Sequence, residues 1–292
     1  MTDGRISITL TANGSVVPAR ETPEAVAAGV LDGDFTSVNY FSGLEPAYAI
    51  MGDLISGYDT PEQMLGFCKD GGGEAVMQKA ADSITGGEVH VVACGPYSRE
   101  ALPARVPIRT FEDLEGKKIR SPEGLAAAVF QAAGASPVSI PFFRGVRRSG
   151  KGHRRCGRRI GLREQRCHRP SRCCALPALP GHPLHAVDAV HHQQGKKWDA
   201  LSEADRTALR DWWYEAMYAM VAEVSKKKDK ELAERDAAGE KVTVIDWAQE
   251  DRDQLREVAR SQWEVFAQKS ELAQEALEAN IKYMTEIGLF KN

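Results

Sequence analysis

Between Phe143 and Gln194 the chain stops patterning like a protein that buries anything. The stretch carries twelve Lys/Arg against two acidic residues, Glu164 and Asp188, a net +10 inside a chain whose formal charge is −3. Six of the seven histidines and four of the six cysteines also fall there. Twelve cations cannot be buried unpaired at tolerable cost. The stretch is therefore either a basic Cys/His-rich module set into an acidic protein, or text that is not native to the fold around it. Either way, the flanks must carry the fold.

A chain of 292 residues has room for two domains with sizeable cores. Its 42% hydrophobic and 27% charged content is ordinary for a soluble globular protein. The acidic balance outside the basic stretch argues against a nucleic-acid partner, which needs clustered Lys/Arg facing phosphates. No apolar run approaches the roughly 18–20 residues of a membrane span, so no direct membrane insertion is expected. The opening MTDGRISITL lacks the basic start and apolar core of a signal peptide, which taken literally means a cytoplasmic chain. It also begins directly on a strand-like alternation (Ile6, Ile8, Leu10), so an N-terminal truncation is expected. Cys68 and Cys94 give no disulfide framework.

Strands alternate with helices along the flanks, the pattern of an α/β fold with a largely parallel sheet. Residues 5–10 read as a half-buried strand. Thr22 and Pro23 open a short helix, and 34–41 read as a second strand. Thr60-Pro61 opens a helix pair over 60–82 that the glycines at 71–73 separate. Residues 88–95 predict a buried strand, and 117–120 another. A helix over 123–133 stops at Gly134, and 137–141 return to a strand. Beyond the break, Ser202 and Asp205 start a helix that runs to about 238. Residues 241–246 form a strand, and 247–286 one long amphipathic helix.

The run from Phe111 through Asp113-Leu-Glu-Gly-Lys-Lys-Ile-Arg120 to Gly124, followed by Gly134-Ala-Ser-Pro-Val-Ser-Ile-Pro141, closely resembles the DctP-like solute-binding receptors of TRAP transporters. Lys196–Trp213 and the final helix extend the resemblance. It implies a two-lobed periplasmic-binding-protein (flytrap) fold with long C-terminal helices, in a periplasmic receptor that delivers a small organic acid to TRAP permease membrane subunits. It implies an incomplete N-terminal lobe over 1–95, a second lobe over 96–201 with 143–194 aberrant, and C-terminal helices with a crossing strand over 202–292. Arg120 matches the family's carboxylate-binding arginine, since a guanidinium fork pairs both carboxylate oxygens. Arg99 is a second candidate anchor, and Tyr40 and Phe41 would end a strand facing the cleft. No cofactor or metal ligand set is expected. There is no G-x-S-x-G, no H-E-x-x-H and no phosphate-cradling loop, so the chain does not read as an enzyme.

The family's continuation after the second motif, SEVYxAL, is missing from the printed sequence. A reading shifted by one base restores it. Joining the last two bases of each codon to the first base of the next permits SEVYGALE from residue 143, a PLYPG segment in the middle, and MQFTINK over 188–194. One extra base after Phe142 and one lost near Gly195 account for both edges. The alternatives are a non-functional product of a frameshifted gene, or a metal-binding Cys/His-rich protein. The second lacks paired C-x₂-C or H-x₃₋₅-H ligand spacings around a hydrophobic frame, apart from His182/His185. The printed stretch predicts weak organic-acid binding or none.

Overall fold

The computed structural model describes residues 2–96, 100–121, 123–138, 156–157, 159–160, 174–175, 188–219, 227–239 and 243–290. The first lobe is built on a three-stranded sheet in the order β1 (Gly33–Ser37), β6 (Asp188–Gln194), β2 (Val89–Val91), antiparallel throughout. Helices α1 (Thr22–Ala27), α2 (Ala47–Asp53), α3 (Pro61–Asp70) and α4 (Gly73–Thr85) pack on one another and on this sheet. The second lobe holds a parallel sheet in the order β4 (Ser136–Val138), β3 (Lys118–Arg120), β5 (Cys156–Gly157), with α5 (Leu125–Ala132) crossing from β3 to β4. Two-residue ladders pair 100–101 with 159–160 and 103–104 with 174–175. The C-terminal part is helical: α6 (Gly195–Asp199), α7 (Glu203–Ala219), α8 (Lys228–Ala238), α9 (Gln249–Ala267) and α10 (Glu271–Glu286).

The local chemistry explains most of these boundaries. Thr60 and Gln63 form a reciprocal capping box at the start of α3, with Pro61 in its first turn. Ser202 accepts the Asp205 backbone N–H (3.2 Å) and opens α7 as expected. Gly134 comes just after α5 at φ +81°, a left-handed conformation that glycine adopts without the strain a side chain would bring. Gly66 inside α3 leaves room for the Tyr283 ring of α10; a Cβ there would crowd the Tyr283 hydroxyl. Tyr58 donates to Asn280 Oδ1 (2.9 Å) in the buried seam between the α2–α3 loop and α10.

Several expected elements differ. Residues 5–10 form no strand, and Ile8 and Leu10 are exposed; among the described residues no strand pairs with them. The strand expected over 34–41 ends at Ser37, opposite Asp188 where β6 begins; Val38–Phe41 winds into a 3₁₀ turn instead. Thr22 is not a cap: its hydroxyl donates to the Ala19 carbonyl (3.3 Å) and Glu21 occupies the cap position. The strand expected over 88–95 shortens to Val89–Val91. The single helix expected over 247–286 is two, broken where Ser270 caps α10 through the Ala273 N–H (3.0 Å). Of the strand expected over 241–246, only a single bridge at Val244 appears among the described residues.

Asp34 is the unusual group in the first lobe. It is 8% exposed on β1, beside Thr22 of α1 and Tyr48 of α2, and neither carboxylate oxygen has a hydrogen-bond partner among the described residues. Burial pushes its pKa up to about 7, against a smaller opposing effect of Thr22. A carboxyl that titrates higher folded than unfolded stabilises the fold while protonated. That contribution is complete below the unfolded pKa of ~4 and is lost as pH climbs through about 7. Asp34→Asn should therefore remove a pH-dependent loss of up to about 4 kcal/mol between pH 4 and 8. Urea midpoints of the two proteins across that range should converge at low pH and separate at high pH, with the variant the more stable.

Candidate ligand-binding site

β3 has the pattern of a strand with one buried face: Lys118 is exposed, Ile119 is fully buried and Arg120 is half-buried. Arg120 stands at its C-terminal end, in parallel register with Val138 of β4 and Gly157 of β5. In open α/β sheets the C-terminal ends of parallel strands frame the crevice where ligands bind. Gly124, at φ +98°, turns the chain from β3 into α5, whose N-terminus carries no side-chain cap. The N-terminus of α5, which carries partial positive charge, thus begins at the same end of β3 as Arg120. Ser121, next in sequence to Arg120, is 1% exposed, and its hydroxyl has no hydrogen-bond partner among the described residues. Sequence reading passed over Ser121; its signal was adjacency to Arg120 at a strand end.

The other expected site residues separate. Tyr40 is 49% exposed on the 3₁₀ turn after β1, at the C-terminal end of a strand of the other sheet. Its neighbour Phe41 is fully buried, edge-on to Tyr48 at 5.7 Å, which makes it part of the first lobe's core. Arg99 lies outside the described residues, as do most of the cysteines and histidines of 143–194. Among the described residues no group of three or more His, Cys, Asp or Glu could hold a metal ion.

The two lobes share one helix. α9 packs on α5 of the second lobe and on α2 and α10 of the first. At its N-terminal end, Asp251 accepts the Phe111 N–H (2.8 Å), and Trp247 just before the helix donates to the Ile108 carbonyl (3.1 Å). In its middle, Arg256 is 5% exposed and donates to the Ser56 carbonyl (3.0 Å), to Asp253 (2.8 Å) and to Asp59. Ser56 is held at φ +62°, a left-handed conformation that costs energy for a non-glycine residue.

The profile of the bacterial extracellular solute-binding proteins, family 7 (DctP), matches residues 1–144. A TRAP periplasmic solute-binding protein from Rhodobacter sphaeroides, in an apo open form, superposes with a TM-score of 0.82 at 30% identity, covering 100% of this chain and 91% of that one. The chain belongs to the TRAP solute-binding protein family. As a member it is a two-lobed binding protein and not an enzyme. The receptor fold recurs in a Rhodoferax ferrireducens protein with bound malonate (17% identity, TM-score 0.74, 99% of this chain and 90% of that one). It recurs again in a Desulfovibrio salexigens protein with bound orotic acid (19%, 0.70, 97% and 90%). A monocarboxylate 2-oxoacid-binding periplasmic protein from Nostoc is 30% identical over 146 residues, 48% of this chain; the chain spans only 38% of that relative. The family is periplasmic, binds small ligands and works with TRAP membrane permeases. Among the described residues no helix is long and apolar enough to cross a membrane.

The shared helix makes Arg256 a stability determinant for both lobes. Arg256→Ala should cost roughly 2–3 kcal/mol, because it strands the buried Ser56 carbonyl and leaves Asp59 without its partner. Equilibrium urea unfolding should show a lower midpoint, and Arg256→Lys should recover only part of it, since one ammonium nitrogen cannot reach the acceptors that three guanidinium nitrogens meet separately.

Proposed function

We propose that this TRAP receptor binds a small organic acid by its carboxylate in the crevice between the lobes and presents it to a TRAP permease in the periplasm. The observation that carries this is the position of Arg120 at the C-terminal end of β3, beside the uncapped start of α5. Malonate and orotic acid in similar folds, and a 2-oxoacid in the Nostoc relative, support a carboxylate as the recognised group. Tyr40 would meet the ligand from the first lobe, and Arg99 would be a second anchor. The lobes would comprise residues 1–95 and 96–201, with 202–292 packing across both. A ligand that touches both lobes favours the closed arrangement by the contacts it makes only there.

A second reading is favoured by where the family likeness stops. The profile match ends at Arg144, the second residue of the basic stretch, which supports a reading in which the printed chain lacks part of its second lobe's native text. Binding by this chain is then weak, with saturation only at high ligand concentration.

Thermal-shift titration with monocarboxylate 2-oxoacids, malonate and matched neutral alcohols tests the proposal. Acids should raise the unfolding midpoint and neutral analogues should not. Arg120→Lys should weaken the acid response by roughly 10- to 100-fold, as expected for losing a charge-assisted bidentate pair. A response equal for acids and alcohols, or one untouched by Arg120→Ala, sinks the carboxylate reading.

A further inference from the structure

Cys68 and Cys94 give no disulfide framework in the sequence, yet the fold brings them together. Cys68 lies in the last turn of α3, and Cys94 follows β2, which ends at Val91. Both thiols are free, and both are buried in the first lobe's core, at 1% and 0% exposure. They hydrogen-bond to each other. Packing beside them shows the same approach. A Cβ at Gly95, the residue after Cys94, would stand 3.2 Å from Leu65 Cδ1, and Leu65 lies one turn before Cys68 on the same face of α3. Tyr58 of the α2–α3 loop and Tyr214 of α7 are each within electrostatic reach of both sulfurs.

The polar groups around the pair are already partnered. Glu74 accepts the Tyr214 hydroxyl (2.6 Å) and the Arg210 guanidinium through both its oxygens (3.0 and 3.1 Å). Two sulfurs alone do not make a tetrahedral metal site, and among the described residues no group of three or more His, Cys, Asp or Glu could hold a metal ion. What two adjoining thiols can do is join.

We propose that Cys68 and Cys94 form a disulfide when this receptor folds in an oxidising compartment, tying α3 to the chain that leaves β2. Disulfides form and persist in the bacterial periplasm. The compartment therefore rests on the periplasmic reading above, whereas the pairing of the sulfurs does not. The oxidant is a second disulfide, carried by a protein or a small molecule. One cysteine thiolate attacks it, forming a mixed disulfide and releasing one thiolate of the oxidant. The other cysteine then attacks the mixed disulfide, closes the Cys68–Cys94 bond and releases the second thiolate. The two electrons and two protons lost by the cysteines end on the oxidant, now a dithiol.

Burial, and then the Cys68 thiol beside it, holds the Cys94 thiol well above its ordinary range. Because the thiolate is the attacking form, the packed core shields the pair, and the bond closes while α3 is still undocked. Once closed, it restricts the unfolded chain across α4 and β2, all of them N-terminal to the basic stretch. The first lobe thereby gains a constraint that does not depend on β6.

Peptide mapping tests the pairing. The full chain is unfolded, reduced and refolded in mixed reduced and oxidised glutathione; remaining thiols are alkylated and the protein is digested with trypsin without reductant. Cleavage after Arg20, Lys69, Lys79 and Arg99 leaves Cys68 in residues 21–69 and Cys94 in 80–99. Mass spectrometry should find these peptides joined, lighter than their sum by the two lost hydrogens, and separated by reductant. Both peptides alkylated and unlinked, or either one linked to Cys156, Cys167, Cys173 or Cys174, overturns the proposal. A second readout uses the full chain carrying C156S, C167S, C173S and C174S. Its unfolding midpoint should fall by roughly 5 °C or more on reduction, and adding C68A and C94A should abolish that response. A midpoint indifferent to reductant overturns the fit of the bond to the native core. No ligand enters either measurement, so a failure of acid binding leaves both unaffected.

Discussion

One buried guanidinium holds the receptor's shared helix in place. Arg256 lies near the middle of α9, with the second lobe held from the N-terminal end of that helix and α2 and α10 packed along it from the first. Its three acceptors come from two places: its own helix, through Asp253, and the α2–α3 loop, through Ser56 and Asp59. The loop is thereby pinned in a conformation it would not adopt alone, with Ser56 at φ +62°. A two-lobed binder needs such a fixed point. If the shared helix were held only by apolar contacts, which are non-directional, it could slide as the lobes close. A charge fork cannot slide without breaking its directional bonds.

The first lobe depends on its middle strand in a different way. β6 comes from the far side of the second lobe in sequence, so the first sheet closes only after the chain has passed through that lobe and returned. Such long-range pairing is slow to form and gains its stability late. Its quality therefore falls on the few positions 188–192, whose register sets them beside Phe35 and His90 on one face and Asp34 on the other.

The legibility of this fold in the sequence tracked the strength of local signals. Helices with capping chemistry, α3 at Thr60-Pro61 and α7 at Ser202, were readable because the cap and the apolar face agree. The β3–α5–β4 unit was readable because Pro122 and Glu123 open its helix in the sequence and Gly134 stops it. Strand limits were not. Residues 5–10 alternate well enough for a strand yet form none, and 38–41 leave the ladder opposite the start of β6. Whether an alternating segment becomes a strand is decided by a partner supplied from elsewhere in the chain. The break at 268–270 inside an otherwise continuous helical pattern is of the same kind, since Ser270 also donates to Glu45 near the start of α2. At the candidate site, Arg120 was legible from its motif, whereas the burial of Phe41 and the hydroxyl of Ser121 became visible only in three dimensions.

The weakness expected of the printed chain comes from population arithmetic more than from any damaged contact with ligand. Arg120 sits ahead of the basic stretch, and its strand and helix are intact. Affinity in a closing receptor, however, is the intrinsic affinity of the closed state scaled by the fraction of molecules able to reach it. Every 1.4 kcal/mol or so by which a faulty crossover disfavours closure costs about tenfold in apparent affinity, with no ligand contact altered. Substituting a carboxylate anchor removes binding energy at the site, whereas a misread strand removes the state in which the site is complete. The two losses separate experimentally because only the second lowers stability without ligand. On the proposed reading Arg120 would set the class of ligand, and β6 how often a site exists to bind it.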